Sequence, residues 1–412
     1  MLKTVHSHIK KVRSIREKSP SHIEFKHLDR AREIALYYGF NPIQPPEVLK
    51  SDVKDASGLE NSSIKEKEDI AIHTEERIAL LRTYTDGNLQ SQGQPLMVAY
   101  HGSSKESRQK KKDPKERRVT LEILGSGKSI AEALLIRTAF AILEEEGYED
   151  LTVELNSLGD KDSLNRFMRE LTLYYKKNAE TMPGVCKQIF KKDVFQIICC
   201  DHEKCQDVKE NAPHPISYLT EPSRIHFKEL LEYFESNGIC YSLHNNLVVN
   251  ATYCTHSAFL IRGKEKGSEE KICLAVGCRY NSLAKKIGMK REVPAVGLTL
   301  TYPKKHKEEI PAVRRIKKPH LYFIHMGFEA KLKSLAIIEM LRKVKILIYH
   351  SLTRDKLQAQ MTSAETLRIP YVLIMGQKES MENSIVVRHA ATRAQETVKI
   401  DDLTEYVRKI LD

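Results

Sequence analysis

Residues 94–146 read QPLMVAYHGSSKESRQKKKDPKERRVTLEILGSGKSIAEALLIRTAFAILEEE. The runs QPLMVAYHG and VTLEILG have the length and β-branched, aromatic content of strands. The charged stretch between them is therefore the tip of a long hairpin. From Lys105 through Arg118 it carries eight Lys and Arg against three acidic residues. A long apolar helix, IAEALLIRTAFAILEEE, follows at once and stops at Gly147. Ser129 and Glu132 hold the S-x-x-E spacing of a capping box, in which each side chain satisfies a free N–H at the helix start. GSGKS at 125–129 is not a phosphate loop, because the first glycine of that motif would fall on Glu122.

Upstream, KHLDRAREIALYYGF (26–40) spaces its apolar groups as a helix. NPIQPPEVL follows as an extended segment, since residues before proline leave the helical region. The polar, charged stretch 51–76 predicts a loop or a mobile insertion. Downstream, LTVELNS reads as a strand, and helices dominate 160–236, where DSLNRFMRELTLYY and SRIHFKELLEYFES each show one buried face. Strands return in LVVNATYC, SAFLIRG, KICLAVGCRY and VPAVGLTLTY, as in an antiparallel sheet with one covered face. The basic, proline-containing stretch 306–319 predicts a linker. Beyond it, strand–helix alternation predicts a small domain with parallel strands and crossover helices.

The chain has 412 residues, with 41% hydrophobic and 30% charged residues, which suffices for two or three domains with real cores. No apolar run approaches the roughly 20 residues that span a bilayer, and the basic N-terminus has no apolar stretch of a secretory signal. A cytoplasmic protein with no membrane partner is expected. The net charge of +12 favours a polyanionic partner. The eight cysteines are scattered through apolar segments as reduced thiols. Cys199, Cys200, His202 and Cys205 cluster, but without paired CxxC knuckles, so no metal site is expected.

Several segments, in order, resemble the histidyl-tRNA synthetases, class II aminoacyl-tRNA ligases. CDHEKCQDVKENAPHPISYLTEPSRIHFKELLEYFESNGI resembles their helical insertion. YYGFNPIQPP resembles the dimer-interface strand, LEILGS the strand after motif 2, and VELNSLGD a further family segment. GCRYNSLAKKIG and VPAVGL resemble the approach to motif 3. RIPYVLIMGQKE with IVVRHAATRAQETVKIDDL resembles the anticodon-binding domain. The resemblance implies an α/β fold in two parts. One is a class II synthetase-like antiparallel sheet over 1–305, with flanking helices and a helical insertion at about 160–236. After the linker 306–319 comes a small α/β anticodon-binding-like domain over 320–412.

The same resemblance implies a site, and there the sequence departs from the family. Activation of histidine puts charge on phosphoryl oxygens, which fixed cations stabilise. The arginine of the family's L-V-R-G-L-D-Y-Y strand falls on Val249, so no catalytic residue is assigned. The motif 2 arginine falls on Ser104 or Lys105 and the motif 3 arginine near Lys304, leaving those lysines as phosphate-binding candidates. Lysine supplies charge but not arginine's two-point grip. The R-P-E-x-T glutamate falls on Tyr84. Remnants of the substrate pocket are Thr83, Thr85, Arg118, Glu122 and Tyr253. Glu122 matches the carboxylate that holds the substrate's α-amino group, Arg118 replaces a glutamine, and Cys254 replaces the second pocket tyrosine. Lys110, Lys111, Lys112, Lys115 and Arg117 are candidates for contacts with RNA phosphates.

The implied function is a homodimeric, ligase-like protein that binds tRNA or another RNA with little or no aminoacylation. One alternative is a divergent active ligase, which alone would require ATP and Mg2+. The other is a regulatory partner of a biosynthetic enzyme.

Overall fold

A computed structural model describes residues 22–59, 72–91, 94–102, 116–198, 202–303 and 310–411. The chain opens with β1 (His22–Lys26), α1 (Arg30–Tyr37), β2 (Asn41–Pro42), α2 (Lys50–Leu59) and α3 (Thr74–Asp86). The hairpin β3 (Leu96–His101) and β4 (Glu116–Leu124) leads into α4 (Ile130–Glu145) and β5 (Tyr148–Gly159). The helical part holds α5 (Lys161–Lys177), three shorter helices and α6 (Glu221–Ser236). Then come β6 (Tyr241–Leu243), β7 (Thr255–Glu265), β8 (Lys271–Arg279), β9 (Ala295–Pro303) and β10 (Val313–Lys317). The C-terminal part runs β11 (Leu321–His325), α7 (Phe328–Lys343), β12 (Ile348–His350), a helix at Leu357–Thr366, β13 (Tyr371–Met375), β14 (Ser384–His389) and β15 (Gln395–Lys399).

The large sheet has the order β2-β3-β4-β9-β8-β7-β5-β6. Its interior pairs are antiparallel, while β2–β3 and β5–β6 are parallel. The sheet is covered on both faces rather than on the one expected: Val119, Leu121 and Ile123 pack with α4, while Val98, Tyr100 and Leu260 lie in a second core on the other side. Ile130 through Ile136 and Thr138 through Leu143 are all buried, so this helix has no solvent face and forms the centre of a layer. α5 is amphipathic: Phe167, Leu171 and Tyr175 recur every fourth residue on its buried side. Its N-cap is Asp160, whose carboxylate accepts from the Ser163 amide at 2.8 Å.

The second sheet, β12-β11-β13-β14-β15, has a parallel core of β11 with β12 and β13 and two antiparallel strands beyond. The fold is thus α/β in the two parts expected. The hairpin is present, and its tip, residues 103–115, lies outside the described residues.

Four local expectations are corrected. Residues 51–76 are not simply a loop, because α2 and the start of α3 fall there, with Ala56 and Leu59 in the core and Thr74 and Glu76 buried. The stretch 306–319 is not only a linker: β10 pairs antiparallel with β1 and buries Ile316. LVVNATYC is not a strand but a turn. Buried Asn250 donates to the Leu59 carbonyl (3.1 Å) and accepts from the Thr252 amide (2.9 Å), which bends the backbone locally. The capping box does not form. Ser129 Oγ donates instead to Glu229 (2.5 Å), and Glu132 is drawn inward by Arg279.

The aromatic residues of the YYGFNPIQPP segment, which resembles a dimer-interface strand, face inward. Tyr37, Tyr38 and Phe40 are buried within the chain itself, and only Ile43 is half-buried.

Candidate functional site

Three elements bring the candidate residues together. In the β4–β9 register Glu122 faces Gly297. A side chain at Gly297 would overlap the Glu122 carboxylate, so the glycine makes the room in which that carboxylate lies. β8 ends beside it with Cys278 and Tyr280, and α3 crosses above with Thr74, Glu76 and Arg77 in its first turn.

Arg77 fills the space in front of Glu122. Its Nε donates to Glu122 Oε1 at 3.2 Å, one terminal nitrogen to the Gly297 carbonyl at 2.9 Å, and the other to Cys278 Sγ at 3.2 Å. The guanidinium also lies 4.5 Å from the centre of the Tyr280 ring. Tyr280 donates its hydroxyl to the second carboxylate oxygen, Glu122 Oε2, at 2.7 Å. Both oxygens are therefore engaged from within the chain, and Glu122 and Arg77 are 0% and 2% exposed. Burial pushes the Glu122 carboxyl above its ordinary range, partly offset by Arg77 and by the Tyr280 hydrogen bond.

Arg118 and Tyr253 border this cluster. Arg118 donates to Glu76, and its guanidinium lies against Gly102, where a Cβ would overlap it. Buried Tyr253 shares a 3.0 Å hydrogen bond with Thr74 Oγ1. The structure thus joins Glu122, Arg118 and Tyr253 through α3. Thr83 and Thr85 are not drawn in. Their hydroxyls bond the Ala79 carbonyl (2.8 Å) and Met289 Sδ (3.6 Å), about two turns further along the helix. Tyr84, placed on the family's glutamate position, is buried and donates to Gln94 Oε1 at 2.8 Å. Carboxylates of α3 do approach the cluster, but from its first turn. Val249 is half-buried among apolar neighbours and brings no charge.

Arg117 lies at the base of the hairpin, where its guanidinium approaches Glu146 at 3.5 Å and is largely covered. Lys105, Lys110, Lys111, Lys112, Lys115 and Lys304 lie outside the described residues, as do Cys199 and Cys200. Among the described residues, no group of three or more His, Cys, Asp or Glu is placed to hold a metal ion.

The residues that sequence reading missed are Glu76 and Arg77, within or beside a stretch taken for a loop. A usable signal was present: ERIALL spaces apolar groups as a helix, and a charged pair at its start is what a buried partner would recruit. A second hub was also hidden. Glu132 accepts from Arg279 Nε (2.7 Å), Ser257 Oγ (2.9 Å) and His226 Nε2 (2.8 Å), all enclosed around the first turn of α4.

Comparison with known proteins follows the same outline. Residues 321–410 match the anticodon binding domain family. The histidine–tRNA ligase of Fervidobacterium nodosum is 28% identical over 382 residues, covering 89% of this chain and 90% of the relative. That of Halothermothrix orenii is 26% identical over 401 residues, covering 93% and 94%. The crystal structure of apo S. aureus histidyl-tRNA synthetase superposes with a TM-score of 0.51 at 22% identity, covering 91% and 93%, and so shares the fold.

Proposed function

The chain belongs to the histidine–tRNA ligase family, and from that premise we propose that it binds tRNA or a related RNA while carrying little or no aminoacylation activity. The observation that carries this reading is the seat of Arg77 on Glu122. In the family that carboxylate holds the α-amino group of the substrate. Here an internal guanidinium already occupies it, with Tyr280 on the other oxygen.

An incoming ammonium would have to take Glu122 from Arg77. Leaving one member of a buried ion pair without its partner costs about 3–5 kcal/mol. Millimolar to micromolar binding amounts to about 4–8 kcal/mol in total, so the exchange removes a third or more of what histidine could gain. The ATP side fits no better among the described residues. The position of the phosphate-facing arginine is Val249, which offers neither charge nor donor.

Histidine-dependent ATP–pyrophosphate exchange tests the reading. No exchange above background is expected. Exchange at the rate of an ordinary ligase would establish the divergent active enzyme instead.

RNA binding is supported by the anticodon binding domain match and by the charge of the hairpin tip. The protein is proposed to act in the cytoplasm, where tRNA is found, and no helix among the described residues is long and apolar enough to cross a membrane. A homodimer is proposed on the resemblance of YYGFNPIQPP to a dimer-interface strand alone, since Tyr38 and Phe40 leave no apolar strip uncovered. Light scattering at micromolar concentration checks it, and a monomer would remove the proposal.

A further inference from the structure

A cleft of about 230 Å³ lies away from Glu122, where α4 and α6 of the large unit meet α7 of the C-terminal unit. The starts of two 16-residue helices line it, Ser129 and Ile130 for α4 and Gly327 and Phe328 for α7. No side chain caps either helix. A helix start presents N–H groups that lack intrahelical partners, together with the positive end of the dipole. Two such starts on one cleft make a cradle for an anion.

The side chains add to it. Lys128 and Lys331 both reach Asp355, Lys128 at 3.0 Å, so one carboxylate sits between two ammonium groups. Asp355 is half exposed and lies in a loop. Glu229 also lines the cleft, with its carboxylate engaged by Ser129 Oγ. At the back is His325, 1% exposed, with the Ser351 backbone beside its ring but neither ring nitrogen in a well-formed hydrogen bond. A buried polar ring left unsatisfied is unfavourable unless something fills the vacancy.

We propose that this cleft binds the phosphate group of a small phosphorylated ligand, which takes the place of Asp355 between Lys128 and Lys331 and engages His325. A carboxylate is already present and leaves His325 without a well-formed hydrogen bond, whereas a phosphate has three acceptor oxygens for the two lysines, the helix starts and the imidazole. The volume is below the roughly 300–1,000 Å³ of sites for drug-sized ligands. It therefore suits a phosphate with a small attached group rather than stacked nucleotides. Bound there, the ligand would bridge the two units of the chain.

The test is calorimetric titration of the full-length protein with inorganic phosphate and with ribose 5-phosphate. Saturable, millimolar binding is expected, weakened about tenfold in Lys331→Gln and in Lys128→Gln. Lys128 is more than half exposed, so its variant keeps the test intact if Lys331→Gln fails to fold. Asp355→Asn removes the internal competitor and should tighten binding several-fold, a gain that a purely structural ion pair would not give. Absence of saturation with both probes would overturn the proposal, and so would an Asp355→Asn variant with unchanged or weaker affinity. Displacement of bound phosphate by an RNA oligonucleotide, but not by ribose 5-phosphate, would overturn the assignment to a small ligand.

Discussion

Arg77 and Glu122 form a 3.2 Å ion pair that shuts the carboxylate off from solvent. The pair comes from two elements, the first turn of α3 and the C-terminal part of β4, and is closed by Tyr280 and the Gly297 carbonyl. A buried charge held this way is tolerated only while its partner stays.

Arg77→Met should therefore destabilise the protein by about 3–5 kcal/mol, because Glu122 is left charged and buried. The double variant Arg77→Met, Glu122→Gln removes both charges and should recover most of that loss. Denaturant unfolding of the two single variants and the double variant measures the coupling. Additive losses would mean that the pair contributes nothing as a pair.

Much of the fold was legible from the sequence, and the parts that were not share a physical cause. The strands around Glu122 and the apolar helix α4 are specified by local pattern, so their positions could be read directly. LVVNATYC has equally β-prone residues, but a single side chain, Asn250, pairs with the distant Leu59 carbonyl and bends it. Likewise Ser129 and Glu132 had the right spacing for a cap, until Glu229 and Arg279, remote in sequence, offered stronger charged partners. Glu122 was identified as a site residue by resemblance. Its pairing with Arg77 depends on how α3 crosses the sheet, which no local pattern reports.

The two units are joined by a second charged network. Glu339 on α7 accepts from Arg342 at 2.7 Å and from the Tyr38 hydroxyl, and meets Arg137 of α4 at 3.2 Å. Burial raises the Glu339 carboxyl, but the hydrogen bonds from Arg342 and Tyr38 outweigh it and bring it down to about 2. The folded state thus favours the charged form. The stabilisation is complete above pH 4.5 and is lost as pH falls towards 2. Glu339→Gln should cost about 2–3 kcal/mol at pH 7, and the gap from wild type should narrow steadily below pH 4.5. A gap independent of pH would contradict the assignment.

His350 on β12 lies across the same junction, its Nε2 donating to the Tyr38 carbonyl at 3.0 Å. Burial lowers its pKa to about 4, against 6.5 for an ordinary histidine. Between these values the unfolded chain takes up a proton that the folded one refuses, so stability rises with pH across the window. His350→Gln keeps a donor for Tyr38 and removes the titration. Its unfolding free energy should vary less steeply between pH 4.5 and 6, by up to about 1.4 kcal/mol per pH unit. A variant profile parallel to that of wild type would sink the prediction.

The hairpin tip supplies the last prediction, and the structure narrows it. Eight positive residues lie between Lys105 and Arg118, but Arg117 and Arg118 are drawn back to Glu146 and Glu76 at the base of β4. The charges left to meet a phosphate backbone are chiefly the lysines. Each phosphate neutralised releases counterions, so the dependence of log K on log salt counts the contacts. Changing Lys110, Lys111, Lys112 and Lys115 to glutamine should flatten that slope for tRNA-sized RNA by about three to four units. Arg117→Gln should leave the slope nearly unchanged and instead lower thermal stability, since Glu146 loses a largely covered partner. If the lysine variant keeps both affinity and slope, the tip does not touch RNA, and the C-terminal unit becomes the surface to test. If Arg117→Gln flattens the slope as a lysine change does, its tie to Glu146 is broken when RNA binds.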